Sequence, residues 1–283
     1  MKGNKLFYTL SIVVIAAMVL AACGGAATLP PLEPNAGATK AAADLVATQA
    51  AEAAAPVEPA GCAEAAGTGA VEFPSGGKTV TGGWDQEPDS IVPYFTQMSY
   101  AIWITQLTLV GLGEWDDNGS FVPELAAEVP TADNGGVSPD GLTITWKLKD
   151  CLYWSDGERI TSADVKFTWD VIMDPGNAVT SRTGYDKIAS VETPDDLTVV
   201  IKFAELYPPW QVLFTQGPNN GGAILPKHIL EGQTGLESND FVHQPSVASG
   251  PFVIAEWVAG DHMTLLPNPN YYKGRANLDQ VQI

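Results

Sequence analysis

The chain has 283 residues, and 33 Asp and Glu against 14 Lys and Arg give a formal net charge of −19. This excludes a general nucleic-acid binder, which needs a basic face to neutralise phosphates. It also argues against electrostatic docking on anionic lipids. The acidity favours solubility, with recruitment of cations as the alternative. Beyond an Ala-rich N-terminal stretch, about 200 residues remain, enough for one large domain or two small ones.

The N-terminus has the pattern of an exported lipoprotein. Lys2 and Lys5 precede an apolar run over residues 6–20, and the sequence LAAC then ends at Cys23. The run is too short to span a membrane comfortably and is typical of a signal peptide. We therefore expect residues 1–22 to be removed and Cys23 to carry the lipid that anchors the protein to the outer face of the cytoplasmic membrane. The alternative is an uncleaved membrane anchor.

A long segment of simple composition follows. Residues 23–77 are rich in Ala, with Pro, Gly, Thr and Glu, and contain almost no large apolar side chains. Such a composition cannot bury enough apolar surface to offset the entropy cost of ordering the chain. The segment is therefore predicted to be a disordered tether that begins at the lipidated cysteine and lifts the folded part away from the lipid.

The first elements of the folded part are short. Residues 79–84 favour a strand, and residues 85–93 form a loop with two prolines. The apolar run over residues 98–109 favours a helix. Residues 113–122 resemble a β-hairpin with Asp-Asn-Gly at its turn.

The clearest local pattern lies between residues 140 and 170. Apolar residues alternate with Thr and Lys over residues 142–148, the period of a half-buried strand, and residues 152–154 are predicted to begin a return strand. Thr161, followed three residues later by an acid, is the expected N-cap of a helix. Asp-Pro-Gly at residues 174–176 ends that helix.

Further strands are predicted toward the C-terminus. The alternation over residues 197–203 indicates one strand, and residues 252–257 and 262–266 are predicted to pair with each other. Residues 278–283 alternate like another strand. Together these segments predict an α+β fold with mixed sheets.

The sequence contains no recognisable catalytic set. Its three histidines, His228, His243 and His262, lie in no zinc-helix motif, and neither a nucleophile elbow nor a phosphate-binding Gly-Lys-Ser/Thr loop occurs. We therefore expect a binding protein rather than an enzyme, without metal or cofactor. A secreted hydrolase is a weaker alternative, because the sequence offers no nucleophile with its base.

Four segments in order carry a family resemblance. Residues 140–170, DGLTITWKLKDCLYWSDGERITSADVKFTWD, resemble the signature of the family 5 extracellular solute-binding proteins, which are the oligopeptide, dipeptide and nickel receptors of ABC importers. PELA at 123–126, LPKH at 225–228 and the GPF…EW…GD…NPNYY pattern over 250–272 resemble three more stretches of that family. The resemblance extends over about residues 78–283.

The resemblance implies a lobe like those of type II periplasmic binding proteins, with an inserted smaller domain. Residues 78–106 and 228–283 correspond to lobe one, and residues 107–227 to the inserted domain that contains the signature. Family members are usually much longer than this folded part. The resemblance therefore also implies an N-terminal fragment with the second lobe missing.

The implied function is capture of peptides, or of a related small solute, for delivery to an ABC permease and its ATPase. A non-transport sensory or structural lipoprotein with the same fold is the alternative. By position in the family, the segment after the first strand lines the ligand cleft, and one aromatic residue of the inserted domain approaches the ligand. The expected ligand-binding residues are Trp84, Gln86, Glu87, Pro88, Asp89 and Tyr185.

Two cysteines besides Cys23 remain available for pairing. After export, Cys62 and Cys151 lie in an oxidising compartment, where disulfides persist. A Cys62–Cys151 disulfide would join the end of the tether to the signature segment. The alternative is two free thiols.

Overall fold

The computed structural model describes residues 77–116, 118–217 and 220–283. The predicted signal peptide, the tether up to residue 76, Cys23 and Cys62 lie outside the described residues. All of the described residues belong to one unit of the chain, Pro56–Ile283. Within this part, no helix has both the length and the apolar character needed to cross a membrane.

Short strands and helices alternate along the described chain. The strands are β1 (Thr79–Thr81), β2 (Gly113–Trp115), β3 (Phe121–Pro123), β4 (Thr143–Lys147), β5 (Ile188–Asp195), β6 (Thr198–Phe203), β7 (Gln216–Gly217), β8 (Asn220–Gly221), β9 (Phe252–Val258), β10 (His262–Pro267) and β11 (Gln280–Gln282). The α-helices are α1 (Ser99–Thr108), α2 (Ser162–Met173), α3 (Lys227–Leu230) and α4 (Asp240–His243). Single 3-10 turns cover Tyr185–Lys187, Trp210–Val212 and Leu236–Ser238.

The described strands form three sheets. The first has the order β1-β11-β10-β9, the second β3-β2-β7-β8 and the third β4-β6-β5. In the first sheet β1 runs parallel to β11, while β10 is antiparallel to both of its neighbours. The first and last described strands therefore lie side by side, and the mixture of helices and mixed sheets agrees with the predicted α+β class.

The third sheet is built on the alternation predicted for residues 142–148. Ile144 and Trp146 of β4 are each 1% exposed and pair with Ile201 and Val199 of β6. Thr143, Thr145 and Lys147, which alternate with these two residues, are more exposed. A shift of one residue would turn the buried side chains to the opposite face, so burial fixes this register.

The return strand predicted at residues 152–154 is wrong. Trp154 is buried, but Tyr153 makes only an isolated bridge to Arg159. The backbone N–H of Trp154 donates to the carbonyl of Glu158 across the Ser-Asp-Gly turn. The apolar pattern thus indicated burial correctly, while the strand that pairs with β4 comes from much later in the chain.

Helix α2 begins at the predicted cap. The Thr161 N–H donates to the Asp164 carboxylate at 2.8 Å, and the Thr161 side chain completes a capping box. The other Asp164 oxygen accepts from the Lys227 N–H at 3.0 Å, so one carboxylate also fixes the start of α3. Burial raises the pKa of Asp164. The helix ends at Met173, two residues before Pro175, as predicted.

One large group of buried apolar side chains extends through most of the described chain. It joins residues of the predicted inserted domain, such as Trp146 and Phe214, to residues of predicted lobe one, such as Val92 and Phe241. A smaller group lies between α1 and the β9–β10 pair. The domain boundaries themselves stay a prediction.

Candidate functional site

A cavity lies where the loop after β1 meets the hairpin of β9 and β10. Its volume is about 220 Å³. Residues 84–88 line it from the loop, and Trp257, Gly260 and Asp261 line it from the hairpin. The predicted ligand-binding residues that share this cavity are Trp84, Gln86, Glu87 and Pro88.

The Glu87 carboxylate bridges the loop and the hairpin. One oxygen accepts a hydrogen bond from the Trp257 indole N–H at 2.7 Å, and the other accepts from the Gly260 backbone N–H at 3.1 Å. A carboxylate offers about four lone-pair sites, so two donors leave acceptor capacity unused. Because Glu87 is also exposed, its carboxylate is both fixed in place and accessible.

A second cavity, of about 430 Å³, adjoins the same bridge. It shares Glu87, Pro88 and Trp257 with the first cavity, and its other lining residues include Asp240 and His243 of α4. The Glu87–Trp257 contact therefore stands between two halves of one surface. We call the surface lined by both sets of residues the Glu87 groove.

Aromatic rings support the loop side of the groove. Trp84 stacks on Tyr100 of α1, with ring centroids 4.9 Å apart. Trp103, which is 47% exposed, meets Tyr100 edge-on at 5.3 Å. The Tyr100 hydroxyl donates to Asp85 at 2.5 Å, and this hydrogen bond raises the pKa of Tyr100. These contacts hold the start of the loop against α1.

The groove is acidic. The carboxylate residues that line it are Asp85, Glu87, Asp240 and Asp261. His262 lies between Asp261, at 3.1 Å, and Glu256, at 3.3 Å, and these hydrogen bonds raise the pKa of His262. Among the described residues, no group of three or more His, Cys, Asp and Glu side chains has an arrangement that could hold a metal ion. The surface therefore presents negative charge without a metal cage.

The structure does not bring Asp89 or Tyr185 into the groove. Asp89 accepts from the Thr96 hydroxyl at 2.5 Å, close to the start of α1. Tyr185 is 8% exposed, its hydroxyl accepts from the Phe214 N–H at 3.0 Å, and burial raises its pKa to about 12. Both side chains make contacts within the fold, so their predicted ligand contacts gain no support from these positions.

Trp257 is a groove residue that was not predicted from the sequence to contact the ligand. It lies 170 residues from Glu87 along the chain. Its signal was the Glu-Trp pair inside the GPF…NPNYY pattern. That pattern marks the hairpin, but it does not identify the loop that the hairpin meets.

Cys151 has an unusual backbone and a disulfide. Its φ is 60°, in the left-handed region that residues with a side chain seldom adopt. Its sulfur is disulfide-bonded. Cys62 lies outside the described residues, so the Cys62–Cys151 pairing stays a prediction.

Comparison with known proteins gives consistent matches. The profile of the bacterial extracellular solute-binding proteins, family 5 Middle, matches residues 120–283. The chain is 34% identical over 143 residues to the oligopeptide-binding protein AppA of Bacillus subtilis, covering 50% of this chain and 26% of AppA. It is 30% identical over 222 residues to protein XP55 of Streptomyces lividans, covering 75% and 38%. The chain thus spans well under half the length of these curated relatives.

Solved structures agree with these matches. The structure of AppA from Bacillus subtilis in complex with a nonapeptide has a TM-score of 0.64 and 26% identity, covering 72% of this chain and 39% of AppA. NikZ from Campylobacter jejuni in complex with Ni(L-His) has a TM-score of 0.61 and 26% identity, covering 73% and 38%. This likeness confirms the predicted fold, an α+β lobe like those of type II periplasmic binding proteins.

Proposed function

Because the chain belongs to the bacterial extracellular solute-binding proteins of family 5, we propose that it is the substrate-binding component of an ABC importer. It captures peptides, or a related small solute, and delivers them to a membrane permease and its ATPase. The Glu87 groove carries this proposal. It is a preformed concave surface that combines aromatic area with a few directed polar groups, as small-ligand sites do.

In this proposal the ligand contacts the loop residues that line the groove. Trp84 and Pro88 supply apolar area, while Gln86 and Glu87 supply hydrogen-bonding groups. Trp257 adds apolar area from the hairpin side, where the hydrogen bond to Glu87 fixes its indole. We leave out Asp89 and Tyr185, whose side chains bind within the fold.

The proposed domain organisation follows the family resemblance. Residues 78–106 and 228–283 form lobe one, and residues 107–227 form the inserted domain. Two lobes of such a receptor close on the ligand by a hinge motion in the whole protein. The chain's role is binding rather than catalysis.

Calorimetric titration with tri-alanine tests binding at the groove. Truncating Trp257 to alanine removes a large part of the hairpin wall, and we expect saturable binding to be lost or weakened at least about tenfold. Leu206→Ala is the control, since Leu206 is 62% exposed and does not line the groove. Equal binding by the parent and Trp257→Ala proteins would place the ligand elsewhere.

We further propose export and lipid anchoring through Cys23. The proposal rests on the LAAC sequence at the end of the apolar N-terminal run and on the extracellular character of the family. In bacteria that express the full chain, Cys23→Ser should move the protein from the membrane to the soluble fraction. Retention of the Cys23→Ser protein on membranes after alkaline washing would count against the lipid anchor.

A further inference from the structure

The Glu87 groove has walls of uneven chemistry. Its apolar walls include Trp84, Pro88 and Trp257, while four of its lining residues carry carboxylates. Among the described residues that line it, none is Lys or Arg. The two histidines that line it are His243 and His262, and His262 is hydrogen-bonded between two carboxylates. Four carboxylates thus face two histidines, and an occupant of this groove meets a net negative charge.

Glu87 is the carboxylate best placed to meet an occupant. It lines both cavities, and its two N–H donors come from the hairpin side. The donors fix its orientation, so a cationic partner does not have to order a mobile side chain. The acceptor sites left over suit an ammonium or a guanidinium, because hydrogen bonds between ionised partners are stronger than neutral ones.

The indole rings add to this selectivity. Trp84 lines the first cavity beside Glu87, and Trp257 lines both cavities. Indole is the aromatic surface that attracts a cation most strongly, and its large apolar area suits the methylene groups of a long side chain. A flexible cationic side chain therefore matches both the negative charge and the apolar walls of the groove.

We propose that the Glu87 groove selects solutes that carry a cationic side chain, with Glu87 as the specificity-determining residue. This proposal rests on the solute-binding function proposed above and names the chemical class of the solute. The cationic head group binds at the Glu87 carboxylate, and the stem lies against the indole rings. The formal net charge of −19 attracts the same class of solute from a distance.

A matched pair of peptides tests the selection. Ala-Arg-Ala carries a guanidinium, and Ala-citrulline-Ala carries a neutral group of nearly the same shape. Calorimetry on the full chain should give at least about tenfold tighter binding of the arginine peptide, since losing a hydrogen bond to a charged group has about this effect. Glu87→Gln keeps the shape of the side chain but removes its charge, and it should bring the ratio of the two affinities close to one.

The control and the contrary outcomes keep the two proposals apart. Glu205→Gln removes a carboxylate that pairs with Lys187 outside the groove, and it should leave the affinity ratio unchanged. Equal affinities of the parent protein for both peptides, or an unchanged ratio in Glu87→Gln, would overturn the cationic selection and leave the solute-binding function standing. Absence of saturable binding of both peptides and of tri-alanine would overturn both proposals.

Discussion

Two glutamates, Glu124 and Glu87, each connect distant parts of the chain, but in opposite surroundings. Glu124 is 4% exposed and accepts from the Tyr272 hydroxyl and from the Lys273 ammonium, the latter at 2.6 Å. Glu87 is exposed and accepts from two N–H groups at the edge of a groove. The partners of Glu124 enclose it, whereas Glu87 keeps acceptor capacity toward solvent. The arrangement around Glu124 stabilises the fold, whereas the arrangement around Glu87 leaves a carboxylate available to a ligand.

The residues around Glu124 also differ from those around Glu87. Lys149 donates to the backbone carbonyl of Glu124 and stands 4.7 Å from the centroid of the Tyr272 ring. Lys273 lies 5.6 Å from the same centroid. Burial raises the pKa of Glu114, and the charge of Glu124 raises it further. The contacts of Glu124 with Tyr272 and Lys273 fasten the end of β3 to the segment after β10.

Removing the enclosed carboxylate should have the largest effect. Glu124→Ala leaves the Tyr272 hydroxyl and the Lys273 ammonium without their shared acceptor. We expect the free energy of unfolding to fall by about 1–3 kcal/mol, the usual range for stranding a buried polar partner. The Lys273 side chain is 46% exposed and can turn to water, which keeps the loss below that of a fully buried ion pair. Urea denaturation followed by circular dichroism measures the change. An unchanged midpoint would mean that the enclosed Glu124 carboxylate does not stabilise the fold, contrary to its contrast with Glu87.

The same truncation at the groove should have a much smaller effect on stability. Glu87→Ala removes two hydrogen bonds from an exposed side chain, and surface changes of this kind usually alter the free energy of unfolding by about 0.5 kcal/mol or less. Urea denaturation under the same conditions gives the direct comparison with Glu124→Ala. A loss as large as that of Glu124→Ala would show that Glu87 is a clamp of the fold, and its carboxylate would then be a poor choice for ligand selection.

The elements of the fold that could be predicted from the sequence are those whose pattern lies within a few neighbouring residues. The alternation in β4 and the cap at Thr161 need no distant partner to be recognised, and both are found where they were predicted. β5 was missed because only part of Ile188–Asp195 alternates, and Pro194 lies near its end, where such a residue argues against a strand. Its existence depends on pairing with β6 rather than on its own pattern.

The candidate site likewise has parts that could be predicted from the sequence and parts that could not. The resemblance directed attention to Trp84, Gln86, Glu87, Pro88 and Asp89, and the first four of these line one cavity. The contact between Glu87 and Trp257 could not be predicted, because it joins a loop to a hairpin 170 residues away. Tyr185 illustrates the opposite case, a predicted ligand contact that its position in the fold does not support. Its aromatic character suits a cleft, but packing against Tyr94 and Phe214 places it in the core.

The smallest expected effect concerns Glu114, whose pKa is raised above its ordinary value of 4.5, chiefly by burial. Well below pH 4.5 this group is protonated in both states and its contribution to stability is fully present. As the pH rises through the raised pKa, the unfolded state loses its proton first, so that contribution disappears. Glu114→Gln should therefore remove a fall in the free energy of unfolding with rising pH, measured by urea denaturation between about pH 4 and pH 8.

Glu192 supplies the control of opposite sign for this pH series. A hydrogen bond from Lys202 lowers the pKa of Glu192, so its contribution is present above the ordinary value and is lost as the pH falls through the lowered pKa. With the series extended down to about pH 2, Glu192→Gln should thus remove a rise in the free energy of unfolding with pH below the ordinary value of 4.5, whereas Glu114→Gln removes a fall above it. If both substitutions shift the pH profile in the same direction, Glu114 does not share the buried environment of Glu124, and the contrast with Glu87 is limited to Glu124 itself.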